Sequence, residues 1–261
     1  MKLVELIVLT SIVLSLALLM TIAYVYLTPG SDVRALAKFY LVTTYNPWVP
    51  QYTVNSPEAV TAIVWDYRGL DTLFETAVFY LALVAGLMLA RRLYSETAST
   101  SHALGGLSVI VKMVTKVTAP MIVAVGASIG LHGHLTPGGG FQGGATIAVA
   151  PMLILVIFST FYMLSHGVTT DKMLLVRGLG LIGIGATSIS VFIIGLVSGH
   201  FAYVFQNMPK QGAPVGLPSH VNGTLISGTL WFFNLFEMLA VAAGFTMAFI
   251  ALMLVGKGEQ S

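Results

Sequence analysis

Six long apolar runs decide what this chain can become. From Leu6 to Leu27 it carries no charge for 22 residues, and a helix needs about 20 to cross the hydrocarbon of a bilayer. Five further runs follow, at Leu70–Ala90, Leu107–Leu131, Gly144–Leu164, Leu174–Val197 and Gly228–Val255. Backbone groups in lipid must be satisfied inside their own segment, so each run reads as a helix. None alternates as the strands of a membrane barrel do. Only 8% of the 261 residues are charged, against about 25% in soluble domains, and a water-facing globular shell is excluded. The fold class is therefore an all-α, polytopic integral membrane protein with about six transmembrane helices.

The first run is longer than the roughly 7–15 residue core of a secretory signal and ends in Tyr24 and Tyr26, where an interfacial belt belongs. It reads as a retained membrane helix. With the N-terminus inside, Lys2, Arg91, Arg92, Lys112, Lys116, Lys172, Arg177 and Lys257 collect on the inner side, and Arg34, Lys38, Arg68 and Lys210 on the outer. That asymmetry puts both termini in the cytoplasm and makes the chain a multi-pass protein of the cell membrane. Arg177 lies near a span end and is expected to snorkel to the interface.

Two connections are long. Residues 28–69 include DVRALAKFYLVTTY, with Val33, Leu36, Ala37 and Tyr40 at helical spacing, which suits either an interfacial helix or packing on a neighbouring subunit. Residues 198–227 are rich in Gly and Pro and read as an irregular outer loop. The polar SETASTSH, Ser95–His102, marks a boundary between a two-helix module, 1–95, and a four-helix module, 103–261.

The densest chemical signal is GLHGHLTPGGGFQGG, Gly130–Gly144. Gly138, Gly140 and Gly143 have dinucleotide-fingerprint spacing, but an apolar helix precedes them instead of a strand, and nucleotide binding fails on context. The alternative is a tight reversal between two spans, in which glycines permit positive φ and close backbone approach. His132 and His134 lack the further ligands a metal needs; they cap a helix end or exchange protons near neutral pH. The absence of cysteine leaves no thiolate or iron–sulfur site. A net charge of +2 in short clusters offers no nucleic-acid face.

Ionisable groups inside a span are costly and mark function by default. Glu237 lies about ten residues into the last span without a basic neighbour in its own helix. It is either half of a structural ion pair or a proton or cation relay. Lys112 and Lys116, four apart, share one face of the third span and are its candidate intrachain partners. In WDYRGLDTLFE, Trp65–Glu75, Asp66 and Arg68 precede Asp71 and Glu75, which share a helix face at the outer end of the second span. They form a local interfacial ion pair or the acidic mouth of a pathway. Gly178–Gly199, including Gly195-x-x-x-Gly199, reads as a close-packing helix surface, and Pro120 and Pro151 lie within spans.

GHLTPGGGFQGGA, Gly133–Ala145, closely resembles the GHLSPGGGFQGG signature of the MnhB-type component of multi-subunit Mrp (Mnh) Na+/H+ antiporters. The glycine element comprises Gly133, Pro137, Gly138, Gly139, Gly140, Phe141, Gln142, Gly143 and Gly144. LFEMLAVAAG, Leu235–Gly244, is similar to that family's C-terminal half, with Glu237 where Asp is common. Upstream, Glu58–Val78 resembles the C-terminal end of the large antiporter component, a module that also occurs in archaeal membrane-bound hydrogenase and sulfur-reductase complexes. The resemblance implies a non-enzymatic subunit without cofactor or metal. Its partners would be other membrane subunits of an Mrp-type antiporter or antiporter-like respiratory complex, with Na+ and H+ as the transported ions. Ion-path candidates are Glu75, Asp71, Asp66, Glu237, Lys112, Lys116, His132 and His134. The competing reading is a structural scaffold that carries no ion. A free-standing transporter is disfavoured by the few buried ionisable groups and the abundant glycine packing surface.

Overall fold

The computed structural model of the protein describes residues 3–27, 33–49, 52–97 and 108–258. They form two units, 1–39 and 40–261. The first contains α1 (Leu3–Leu27), an apolar helix none of whose span is buried within the chain. Helix α2 (Ala35–Thr44) begins in the first unit and ends in the second.

In the second unit, α3 (Ala59–Ala62) runs into a π-helical turn, Ile63–Tyr67, and then α4 (Gly69–Thr97). There follow α5 (Val109–Leu131), α6 (Gly140–Ile157), α7 (Thr160–Ser165), α8 (Thr170–Ser198) and α9 (Thr229–Gly258). Six of the described helices are long and apolar enough to cross a membrane. Helix α9 packs against α4, α5, α6 and α8, while α5 and α6 pair closely with each other. Half of the α9 span is buried, so the last span is the axis of the bundle.

Local chemistry sets several ends. Ser108 accepts from the Val111 N–H at the start of α5, and Thr169 from the Lys172 N–H at the start of α8. Each satisfies a backbone donor the helix leaves open. Between α8 and α9, the strands β1 (His220–Val221) and β2 (Thr224–Leu225) pair antiparallel across Asn222–Gly223, whose φ values are 50° and 79°. Positive φ at both central residues is the two-residue hairpin turn that Asn-Gly favours.

The fourth span departs from expectation. Instead of Gly144–Leu164 it covers Gly140–Ile157, and α7 is a separate helix. The break falls at Ser159, whose φ of 130° leaves helical space and whose hydroxyl caps α7 at Tyr162. At the other end, only residues 132–139 of the glycine segment are non-helical; Gly140, Gly143 and Gly144 form the first turns of α6. Gly139 has φ 152°, whereas Gly140 is helical and is needed for space.

Two further readings are corrected. Gly195 does not seat another helix: a Cβ there would meet Ala202 and the His200 carbonyl in its own following loop, and Gly199 faces open space. The contact with α9 is made by Gly180 and Gly183, against Ala240 and Phe236. Arg177 does not snorkel. It is 1% exposed, because Gly244 opens a slot through which Nη1 donates to the Ala240 carbonyl at 2.8 Å. Phe79 and Tyr80 of α4 lie 4.5 and 5.6 Å from the guanidinium carbon and hold its charge by cation–π attraction. Residues 98–107 and Lys2, on which the expected domain boundary and charge count partly rest, lie outside the described residues. By packing, α4 belongs with the helices that follow it.

Candidate functional site

One end of the bundle is closed by a cap knitted from segments distant in sequence. Ser56 Oγ donates to the His134 carbonyl at 2.8 Å, and Thr61 Oγ1 to the Gly133 carbonyl at 2.7 Å. Asn207 Nδ2 donates to the Val54 carbonyl at 3.0 Å, and its Oδ1 accepts from the Thr229 N–H at 2.8 Å. Ser227 Oγ donates to the Asn55 carbonyl at 2.6 Å. Residues 54–61, 133–134 and 207–229 thus share one hydrogen-bonded layer, with the fully buried Asn207 at its centre. Sequence reasoning passed over Asn207, although a polar residue in a Gly- and Pro-rich loop was a signal.

The candidate groups of the cap separate clearly. Asp71 pairs with Arg68 at 2.6 Å on an exposed surface, a contact worth about 0–1 kcal/mol. The Asp66 carboxylate is buried, 3.4 Å from Lys210 Nζ and bonded to the Asn207 backbone. Burial pushes its carboxyl up from the ordinary value, and Lys210 opposes that. His132 is exposed and bonds the Ser128 carbonyl at the end of α5. His134 is buried; Nε2 donates to the Leu225 carbonyl at 2.9 Å, so Nδ1 carries no proton in the neutral ring.

Burial also holds the His134 imidazole below its ordinary 6.5, with the Leu225 bond acting against that shift. A base that resists protonation when folded contributes stability above the unfolded pKa that is lost as pH falls. Asp66, with its carboxyl raised, acts in the opposite sense. Protection of the Leu225–Gly228 amides against exchange is therefore expected to fall between about pH 7 and pH 5. In His134→Gln, whose amide N–H still reaches a carbonyl, that fall should be much smaller. An equal fall in both would assign it to another group.

Beneath the cap lies Glu237, 7% exposed on α9. It meets the N-terminus of α6: a Cβ at Gly140 would lie 2.6 Å from Glu237 Oε2, which sets the carboxylate beside the first N–H groups of that helix. Open N–H groups and the helix dipole favour negative charge there. Asn234, one turn earlier on α9, accepts from the Gly140 N–H at 3.3 Å and fixes the approach. Glu75, exposed on α4, acts on Glu237 as a like charge. The structure thus brings Glu75 and Glu237 into one electrostatic field.

It does not bring the lysines to them. Lys112 and Lys116 occupy the first turns of α5, whereas α5 meets α9 beside Glu237 through Gly130, which abuts Met238. Fourteen residues of helix between Lys116 and Gly130 span about 21 Å, so the expected Lys116–Glu237 pair does not form. Asn234 and Trp65, which do surround the acid, were missed; a polar residue three before Glu237 in an apolar span was the available signal.

Six membrane-length helices, a glycine-led helix start and an acid seated on it define a polytopic membrane protein with one buried acid in its last span. Residues 110–247 match the family described as a domain related to the MnhB subunit of Na+/H+ antiporters, and the chain belongs to that family. It is 34% identical over 118 residues to the uncharacterized protein MJ1307 of Methanocaldococcus jannaschii, a match spanning 40% of this chain and 45% of that protein. A chain of the membrane-bound sulfane sulfur reductase, an archaeal respiratory membrane complex, superposes with a TM-score of 0.60 and 25% identity over 97% of this chain and 98% of its own. A chain of the Mrp complex from Dietzia sp. DQ12-45-1b shares the fold, with a TM-score of 0.56 and 16% identity over 97% of this chain and 26% of that one.

Proposed function

We propose that this membrane subunit contributes Glu75 and Glu237 to an ion path in a multi-subunit assembly exchanging Na+ and H+, in the cell membrane. The observation that carries the reading is the seat of Glu237, a buried carboxylate held on the N-terminus of α6 and sensing the open Glu75. No ion pair of Glu237 occurs among the described residues, so the start of α6, and not a base, faces its charge. The subunit works in transport, with any catalytic centre on its partners, and its 1–95 and 103–261 parts derive from separate modules. Glu75→Gln and Glu237→Gln test the path when exchange and complex yield are measured together. Normal exchange in both would reduce the protein to a scaffold.

Orientation follows from the basic residues, with the cap outside and both termini cytoplasmic. The chain has no cysteine, so single replacements report cleanly. Gln211→Cys in the cap loop should react with an impermeant maleimide from outside, and Ser165→Cys, at the end of α7, only after permeabilisation. The reverse pattern would invert the topology.

A further inference from the structure

Trp65 is wholly buried between cap and bundle. Its indole lies parallel to Phe233 of α9, with centroids 4.4 Å apart and planes 3° apart, and Phe205 extends the stack at 5.8 Å from Phe233. Glu237 follows Phe233 by four residues, one turn along the same face of α9. The indole N–H approaches the Glu237 carboxylate but completes no hydrogen bond there or elsewhere among the described residues. Asn234 Nδ2 is a second buried donor without an acceptor, its Oδ1 being committed to Gly140. Buried donors left open are costly, so an arrangement that keeps them needs a state in which they are used.

The chemistry of that state follows from the carboxyl group. A protonated carboxyl is itself a donor at one oxygen, whereas the charged form accepts at both. The Phe141 N–H adjoins one acceptor position; the indole N–H is placed for another. N–H groups do not ligate hard cations, which take oxygen, so this surround suits a proton site. We propose that Trp65 is the positioning residue for proton exchange at Glu237: its N–H receives the charged carboxylate when the proton has left, and its stack on Phe233 fixes where the carboxylate rests. Only the Glu237 O–H bond breaks, and the proton leaves toward the Glu75 carboxylate. The inference rests on the reading of Glu237 as an ion-path acid.

Among the described residues, Glu75 of α4 acts on Glu237 as a like charge, Arg177 of α8 is held at Ala240 one turn further along α9, Asp66 adjoins Trp65 in the π-helical turn, and Glu58 caps α3 in the layer above. His134 lies in the segment leading to α6, and the adjacent turns of α5 and α6 bring glycines.

Trp65→Phe keeps an aromatic ring for Phe233 and removes the donor. In the assembled complex it should leave yield unchanged and slow Na+/H+ exchange in inverted vesicles about tenfold. The deficit should be largest at low pH and close as pH rises, because alkalinity then populates the charged form without the donor's help. In the Glu237→Gln background the same change should cost nothing further. Infrared pH-difference spectra add a readout independent of transport: the carboxyl C=O band abolished by Glu237→Gln should move in Trp65→Phe. If Trp65→Phe lowers yield, benzothienylalanine at position 65 replaces N–H by sulfur in the same shape and is held to the same expectations. A wild-type pH profile with an unmoved band would overturn the proposal. A moved band with unimpaired exchange in Glu237→Gln would overturn the ion-path reading and leave the Trp65–Glu237 contact standing.

Discussion

Gly143→Val is expected to prevent the chain from entering its complex. A Cβ at Gly143 would lie 2.7 Å from the Gly126 carbonyl oxygen and 2.7 Å from both the nitrogen and the Cα of Gly130. These are backbone atoms of α5, so no side chain can rotate away and the two helices must part. Overpacking in an ordinary core costs about 1–3 kcal/mol; against a backbone wall the upper figure is the floor. Complex yield should drop by about a hundredfold, that cost being roughly 1.4 kcal/mol per factor of ten. Gly185→Ala is the control, since nothing lies within 4 Å of its Cβ position, and its yield should match wild type. Normal assembly of Gly143→Val would mean that α5 and α6 are not closely apposed.

Glu237→Gln is expected to spare assembly and reduce exchange by about a hundredfold or more, the usual weight of a positioned acid–base group. Gln keeps the shape and an amide oxygen toward the start of α6, but it cannot release a proton. Glu75→Gln should act in the same direction and more weakly, because Glu75 is open to its surroundings. The placement of the lysines adds a discriminating control. Lys116→Met, near the opposite end of α5 from the Gly130–Met238 contact, should not rescue either variant. Rescue would restore the structural ion pair, and unimpaired exchange in Glu237→Gln would remove the acid from the path.

Much of the architecture was legible because lipid leaves the backbone few choices. The apolar runs gave the number of spans and placed all but the fourth, and the Gly- and Pro-rich stretch located the loop between the last two. What was not legible depended on three-dimensional apposition. Gly140 and Gly143 read as a loop because glycine disfavours helices in isolation; only the approach of α5 and α9 shows that their missing side chains are what the helix requires. Arg177 read as interfacial because its acceptor, the Ala240 carbonyl, and the slot at Gly244 lie more than sixty residues away. Glu237 was visible as a charge in an apolar run. Its neighbours, Trp65 and the first turn of α6, come from two separate segments that no spacing rule connects.

The central place of α9 has a consequence for biosynthesis. It is the last of the six spans to leave the ribosome, yet α4, α5, α6 and α8 all pack on it. Until it arrives, the slot beside Gly180 and Gly183 stands empty, and the Arg177 guanidinium enters the bilayer with no carbonyl to bond. The cap is equally late, since bonds such as Ser227 to Asn55 close over 172 residues. Before α9 arrives the close α5–α6 pair can form, but the packing that joins it to α4 and α8 waits for the last span.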